Sequence, residues 1–155
     1  MDHEKINILS VGGEATTFEE YKEQVAHALE IVELHFREEN PDDIERAMRL
    51  YADDVVWEVP GRRVRYVGKE DVKRNYLRLF ASAEGMQFEP IERFATSERV
   101  VDDMWVRFTL SGDGFANAPF PIGTKVKMRL VHIFDIRDGY ITREAGYEMW
   151  LKDED

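Results

Sequence analysis

The stretch from Gly123 to Trp150 constrains the fold of this chain more than any other part of its sequence. Between Val126 and Ile136 apolar side chains recur at every second position, which is the period of a strand with one buried face. An Asp138–Gly139 turn follows, and a second strand is predicted from Tyr140 to Trp150. The one polar residue on the apolar face of the first strand is His132. The sequence therefore predicts a long hairpin that carries a histidine on its buried side.

Composition indicates a globular protein that acts on neither nucleic acid nor membranes. The 155 residues fit one domain, residues 1–155, and 43% of them are hydrophobic, enough for a packed core. The net charge of −11 disfavours nucleic acid and anionic membranes as partners, because phosphate contacts need clustered cations. The denser basic run Arg62–Arg65 is expected to be a solvated loop or edge-strand face. No apolar run reaches membrane-spanning length, and no secretion signal or cysteine is present, so we expect a cytoplasmic protein.

The first part of the chain reads as a loose arm followed by a long helix. Residues 1–15 show little periodicity and are expected to form the arm. Thr16 or Thr17 then caps a helix that reaches about Glu38, with apolar residues at three- and four-residue spacing. His35 lies on or beside the buried stripe of this helix.

Two shorter helices are predicted next. Asn40 is the expected cap of the second, and Tyr51 is expected on its buried face. A third helix is predicted over Lys69–Ala83, after which Ala83–Gly85 breaks the helical pattern.

Strands dominate the rest of the chain. They are predicted at Asp54–Val59, Met86–Phe94 and Arg99–Leu110, in addition to the hairpin. The connection Ser111–Ile122 contains two aromatic residues expected to be exposed, Phe115 and Phe120, and it either covers a site or forms a loose hairpin tip. Helices first and strands later favour an α+β fold, with a curved sheet and helices across its concave face.

Three stretches of this pattern resemble a known superfamily. They are YADDVVWEVPG at Tyr51–Gly61, YVGKEDVKRNY at Tyr66–Tyr76 and PIGTKVKMRLVHIFDIRDGYITRE at Pro121–Glu144. They resemble the SnoaL-like branch of the nuclear transport factor 2-like superfamily, which includes polyketide cyclases and ketosteroid isomerases. The resemblance implies a cone-shaped α+β barrel of the cystatin-like kind, with three helices on a strongly curved mixed or antiparallel sheet. It also implies a hydrophobic pocket between helices and sheet, and a homodimer through the outer sheet face.

The resemblance can be tested position by position. Val59 stands where ketosteroid isomerases place their basic aspartate, and Gly146 stands where limonene epoxide hydrolases place a catalytic aspartate. Neither chemistry is therefore expected. His35 falls where the isomerases place an oxyanion-hole tyrosine. His132 falls where the isomerases place a second donor, and where SnoaL cyclases place an acid/base aspartate.

The hairpin register decides which residue faces His132. A three-residue turn places His132 opposite Glu144, whereas a two-residue turn places it opposite Ala145. We prefer the first, because it points Gly146 inward. An imidazole titrates near neutrality, so His132 is the candidate acid/base, with Glu144 orienting it and His35 donating to a developing oxyanion.

These residues suggest a cofactor-independent lyase, isomerase or cyclase acting on a small, carbonyl-bearing hydrophobic molecule. The four histidines show no metal-ligand spacing, so neither a metal nor a cofactor is expected. The residues expected to line the pocket are Tyr51, Trp57, Val59, Tyr76, Phe80, Met128, Phe134 and Gly146. Two alternatives stay open: both histidines are satisfied core residues of a non-catalytic ligand-binding protein, or the domain is a dimeric interaction module with a filled core.

Overall fold

In the computed structural model of the chain, residues 17–154 are described, and the predicted arm, residues 1–15, lies outside them. This part of the chain contains three α-helices and six strands. The helices are α1 Phe18–Glu38, α2 Ile44–Met48 and α3 Lys69–Phe80. The strands are β1 Tyr51–Val59, β2 Val64–Val67, β3 Ala83–Ala95, β4 Arg99–Leu110, β5 Lys125–Arg137 and β6 Tyr140–Lys152.

The six strands form one open, mixed sheet in the order β2-β1-β6-β5-β4-β3. The neighbours β1 and β6 are parallel, and the other neighbouring pairs are antiparallel. Buried residues of α1 and α3 pack on the inward side chains of the strands, so the main core lies between helices and sheet. The predicted α+β architecture is therefore confirmed. Within residues 17–154, none of the helices has the length and hydropathy needed to span a membrane.

Local sequence signals set the start of α1 but not that of α2. Thr17 and Glu20 form a capping box, since the Glu20 amide donates to Thr17 Oγ1 and the Thr17 amide donates to the Glu20 carboxylate. The prediction that Asn40 caps α2 was wrong: Asp43 is the cap residue. Asn40 Oδ1 instead accepts from the amides of Asp42 and Asp43, which closes a turn before the helix begins.

Two further boundaries differ from the prediction. Tyr51 was expected on the buried face of α2 but is the first residue of β1, paired with Ile141 of β6. The predicted end of α3 at Ala83 was also wrong, because the helix ends at Phe80. Residues 83–85, expected to break the helix, begin β3, where Ala83 pairs with Leu110 of β4.

The register of the β5–β6 hairpin matches neither predicted alternative. The turn has two residues, because Arg137 pairs with Tyr140, but a bulge follows, so that Ile136 pairs with Ile141 and Asp135 pairs with Arg143. His132 therefore lies opposite Gly146, and neither opposite Glu144 nor opposite Ala145. Gly146 points inward as predicted: a methyl group there would meet Val59 Cγ2 at 3.3 Å.

The connection between β4 and β5 packs against the sheet. Phe115, expected to be exposed, is buried: its ring stacks on Phe108 with centroids 5.1 Å apart and meets Trp150 edge-on. These rings belong to a second apolar cluster, whose buried residues come mainly from β4 and β5. The connection therefore covers this cluster.

The basic run at residues 62–65 is only partly solvated. Its edge-strand interpretation is confirmed, because β2 forms one edge of the sheet. Arg62, however, is buried, and it donates to the Glu148 carboxylate at 2.8 Å and to the carbonyl of Ala116 at 2.8 Å. A buried ion pair thus joins the turn after β1 to Glu148 of β6, and the hydrogen bond to Ala116 ties the same turn to the β4–β5 connection.

Candidate active site

Glu144 is the centre of a buried polar cluster on the concave side of the sheet. Its backbone lies in β6 opposite Phe134, and its side chain is 1% exposed. The hydroxyl of Tyr76 donates to the carboxylate at 2.8 Å from each oxygen, and the hydroxyl of Tyr51 donates to Oε2. The two tyrosines, predicted only as lining, are therefore the direct hydrogen-bond partners of this carboxylate.

Both predicted histidines reach the same carboxylate. His35 Nε2, from α1, lies 3.6 Å from Glu144 Oε2, and His132 Nε2, from β5, lies 3.5 Å from Glu144 Oε1. His35 Nε2 is also 3.2 Å from the Tyr51 hydroxyl. The helix layer and the sheet thus bring together the three residues proposed as catalytic. His132 meets Glu144 although the two are not directly paired, because a diagonal neighbour on the same face of a hairpin lies within reach of long side chains.

Burial dominates the electrostatics of this cluster. It raises the pKa of Glu144 to about 7, since the charged carboxylate loses its hydration. The hydrogen bonds from Tyr51 and Tyr76 act in the opposite direction on this pKa, because they stabilise the ionised form. Glu144 is therefore a carboxyl group that exchanges its proton near neutral pH.

The two imidazoles are neutral at neutral pH. Burial lowers the pKa of His35 to about 3, with a further contribution from the charge of His132. Burial also lowers the pKa of His132 to about 4, and the guanidinium of Arg93 acts in the same direction. The sequence analysis left open whether burial or a neighbouring carboxylate would set the charge of His132, and burial dominates.

A second carboxyl group approaches the cluster from the end of α1. Glu39 Oε2 lies 3.4 Å from His35 Nε2 and has no hydrogen-bond partner. Burial and the charge of Glu144 raise the pKa of Glu39 well above its ordinary value. His35, Glu39 and Glu144 each bring one donor atom within 4.8 Å of the others, a spacing that a metal ion can bridge. The Tyr51 hydroxyl already bonds both His35 and Glu144, whereas Oε2 of Glu39 and Nδ1 of His35 have no hydrogen-bond partner.

Most of the predicted lining residues surround this cluster. Phe134 is fully buried between the two imidazoles, with ring centroids 5.9 Å from His35 and 5.5 Å from His132. Trp57 and Phe80 both contact the ring of Tyr76, and Val59 lies against Gly146. Met128 is the exception, because it lies in the second apolar cluster.

Asp102 and Arg93 belong to the site but are absent from the sequence prediction. Asp102, in β4, is 1% exposed and lies directly opposite His132. Arg93 Nε donates to Asp102 Oδ1 at 3.1 Å. The signal for Asp102 was present: it interrupts the buried face of its strand between Val100 and Met104, as His132 interrupts the apolar face of β5.

Comparison with solved structures shows the same fold at low sequence identity. The chain is similar to a provisionally assigned polyketide cyclase from Xanthomonas campestris pv. campestris, with 23% identity and a TM-score of 0.66 over 80% of this chain and 91% of that one. It is similar to a nuclear transport factor 2-like protein from Burkholderia xenovorans LB400, with 16% identity and a TM-score of 0.67 over 81% and 91%. A LEH-like epoxide hydrolase from M. tuberculosis shares 17% identity with a TM-score of 0.63 over 81% and 85%.

These likenesses establish the nuclear transport factor 2-like fold and leave activity open. A search of curated proteins gives no significant match. The sequence model of the SnoaL-like domain family matches residues 32–144 of this chain. This span contains His35, Glu144 and every other member of the cluster around them. The chain belongs to the SnoaL-like domain family.

Proposed function

We propose that this protein is a cofactor-independent enzyme of the cyclase, dehydratase or isomerase type, acting on a small, carbonyl-bearing hydrophobic molecule. One observation carries the proposal: a buried carboxyl group that titrates near neutrality, Glu144, lies 3.5 Å from a neutral imidazole, His132. Pairs of titratable groups with shifted pKa values are concentrated at catalytic sites. Membership of the SnoaL-like family supports the same reaction class.

The proposed pocket lies on the His132 side of the cluster. His132 and Leu130 are each 8% exposed, whereas Glu144 is 1% exposed and His35 is fully buried. A molecule held among the surrounding apolar side chains would therefore meet the imidazole of His132 first. The rings of Phe36 and Phe134 contact this imidazole and supply an apolar, dehydrated surrounding.

The proposed chemistry is proton transfer at a carbon next to a carbonyl group. His132 Nε2 takes the proton, the C–H electron pair moves into the enolate, and the new imidazolium is stabilised by the carboxylate of Glu144. The proton then returns to another carbon or to a departing hydroxyl group, so that the enzyme ends in its starting state. The oxyanion role of His35 stays a prediction, and its full burial favours a role in holding Tyr51 and Glu144 in place.

The pH dependence of turnover follows from Glu144. Below its pKa of about 7 the carboxyl group is neutral and cannot stabilise an imidazolium, so kcat/KM should rise as the pH increases through about 7. The titratable and charged groups around Glu144 and His132 are His35, Glu39, Tyr51, Tyr76, Arg93 and Asp102.

Solvent deuterium exchange tests the proposal without knowledge of the natural substrate. A panel of small enolisable ketones and β-hydroxy ketones is incubated with the protein in D₂O, and α-deuteration or loss of water is followed by NMR and mass spectrometry. His132→Gln and Glu144→Gln should abolish the exchange. His27→Gln is the matched control, because His27 lies on α1 with its side chain exposed. Exchange that persists in His132→Gln contradicts the mechanism.

A non-catalytic ligand-binding protein is the second candidate. The observation that favours it is the complete hydrogen bonding of Glu144, whose two oxygens are both occupied by tyrosine hydroxyls. This candidate predicts that ketones of the panel bind, by calorimetry, with similar affinity to the wild type and to His132→Gln, and that no product forms. Binding without exchange would select it over the enzyme.

We also propose a homodimer through the outer face of the sheet. Three large side chains on the outward side of β6 are exposed: Tyr147, Met149 and Leu151. Together with Val131 and Ile133 of β5, they form an apolar surface on the side opposite the helices. Such a surface is typical of a protein–protein contact.

A further inference from the structure

The imidazole of His132 is closely surrounded by other side chains. The rings of Phe36 and Phe134 lie 5.9 Å and 5.5 Å from it, measured between centroids. On the side of β6, a methyl group added to Gly146 would lie 3.8 Å from Cδ2 of His132 and would meet Val59 Cγ2 at 3.3 Å. A ketone is larger than a methyl group, so a neighbouring side chain has to move before a ketone can reach the imidazole.

Of the two rings that contact His132, Phe36 is the one that can move. Phe134 is fully buried, whereas Phe36 is only partly buried. Phe36 packs against the core around Glu144 and also against the second apolar cluster, so its ring lies where the two meet. A fully buried ring is held by neighbours on every side, but a partly exposed ring can turn into solvent by changing its rotamer.

Arg93 of β3 holds the ring of Phe36 in place. Its guanidinium lies over this ring, 5.1 Å from the centroid. Arg93 Nε donates to Asp102 Oδ1 at 3.1 Å, and Nη1 donates to Glu33, which precedes Phe36 by one helical turn on α1. Asp102 lies opposite His132 in the β4–β5 ladder. Arg93 therefore ties Phe36 and its helix to the strand beside His132.

We propose that Phe36 is the gate through which substrate reaches His132, and that Arg93 holds this gate closed. The inference rests on the proposed function, and it names the side chain that limits the size of the substrate. When the ring turns into solvent, the space it leaves lies between two apolar clusters and suits a hydrophobic molecule. A smaller side chain at position 36 should therefore admit larger ketones.

Acylation by diethyl pyrocarbonate measures access to His132 without a substrate. The reagent acylates neutral imidazoles, and peptide mass spectrometry at pH 7.5 gives a rate for each histidine. His27, which is exposed on α1, is the reference in every sample. In the wild type His132 should react more slowly than His27. In Phe36→Ala the rate at His132 should rise about 10- to 100-fold, because the gate is then absent.

Arg93→Gln releases the gate without removing the ring, and should raise the rate at His132 about three- to tenfold. The charge of Arg93 lowers the pKa of His132, so its removal favours the unreactive imidazolium and cannot cause a faster reaction. Phe88→Ala is the matched control for the ring, since Phe88 is an exposed phenylalanine of β3. Arg99→Gln is the matched control for the guanidinium, since Arg99 is exposed and pairs with Asp135. Both controls should match the wild type.

His35 separates opening of the gate from unfolding. It is fully buried on the same helix, so it should stay unreactive in every folded variant. A rate at His132 that rises only together with that at His35 overturns the gate, and so do equal rates at His132 in wild type and Phe36→Ala. Phe36→Leu keeps more of the packing and should give a smaller increase than Phe36→Ala. It decides the question if Phe36→Ala does not fold.

The deuterium-exchange assay tests the same gate on substrates. Phe36→Leu should raise kcat/KM for the bicyclic ketone β-tetralone about tenfold relative to that for butanone, because the smaller side chain leaves room for the second ring. An unchanged ratio overturns the role of Phe36 in limiting substrate size. Absence of exchange with every ketone in the wild type contradicts the proposed function, while the acylation rates still decide whether Phe36 controls access to His132.

Discussion

Replacing Glu144 by glutamine should change how the stability of this protein depends on pH. Glu144 is 1% exposed, and burial raises its pKa from the ordinary value of 4.5 to about 7. Below pH 4.5 the carboxyl group is protonated in both the folded and the unfolded chain. Between pH 4.5 and 7 it ionises only in the unfolded chain, so the free energy of unfolding falls as the pH rises. Above pH 7 this contribution is fully lost.

The size of the effect follows from the pKa difference of 7 − 4.5 = 2.5. At about 1.4 kcal/mol for each tenfold change in proton affinity, the whole effect is on the order of 3 kcal/mol, and most of it falls between pH 5 and pH 8. Glutamine has no proton to lose and so lacks this term. The charge of Glu144 also raises the pKa of Glu39, and removing it relaxes that pKa as well. Both effects raise the free energy of unfolding of Glu144→Gln relative to that of the wild type at high pH.

Urea denaturation of wild type and Glu144→Gln at pH 5, 6, 7 and 8 measures the difference. Relative to the wild type, the variant should gain stability by about 2–3 kcal/mol across this range, whatever its stability at pH 5. Glu84→Gln is the control, because Glu84 is an exposed glutamate of β3, and its curve should stay parallel to the wild type. Parallel curves for wild type and Glu144→Gln would refute the assignment of a neutral-range pKa to Glu144.

Three further predictions concern single contacts. Tyr51→Phe removes one hydrogen-bond donor to the buried carboxylate of Glu144. It should lower the free energy of unfolding at pH 8 by about 1–3 kcal/mol, measured by urea titration. It should also raise the pKa of Glu144, which ¹³C NMR follows as a titration at higher pH. Arg62→Ala leaves the buried carboxylate of Glu148 without its ion-pair partner, and should lower the free energy of unfolding by about 3–5 kcal/mol in the same titrations. Adding Glu148→Gln to Arg62→Ala should restore part of this loss, because it removes the unpaired charge. Met149→Glu places a charge on the proposed dimer surface, so light scattering should give half the mass of the wild type, and an unchanged mass would count against that surface.

The fold was predictable from the sequence because its periodicities are regular. β4 and β5 alternate buried and half-buried residues over their whole length, so their faces follow from a period of two. α1 begins with a capping box that the sequence displays. The errors lie where a tertiary contact overrides the local signal, as at Tyr51, which pairs with Ile141 at the start of β1 although helical spacing places it on α2.

The meeting of two histidines and a glutamate between helix and sheet was predictable from the sequence, but the contacts among them were less so. His35, His132 and Glu144 do meet in the structure, yet the predicted register between His132 and Glu144 was wrong, because the bulge between Asp135 and Ile136 has no signal in the sequence. The hydroxyl of Tyr76 could not be assigned to Glu144 either, since the two residues are 68 positions apart and meet only when α3 packs on the sheet. Contacts of this kind follow from tertiary packing.

Burial of the polar cluster around Glu144 explains both the proposed chemistry and the cost of the cluster in stability. The cluster contains two carboxyl groups with raised pKa values, Glu39 and Glu144, and two imidazoles with lowered ones, His35 and His132. All four shifts have desolvation as their largest cause, so each group resists its charged form and stability is lost when one ionises. A core needs no such arrangement, because apolar side chains of similar size would pack without that cost. A neutral imidazole and a carboxyl group that titrates near pH 7 are, however, what a proton-transfer site requires. The unfavourable burial is therefore an argument for a catalytic role of the pair formed by Glu144 and His132.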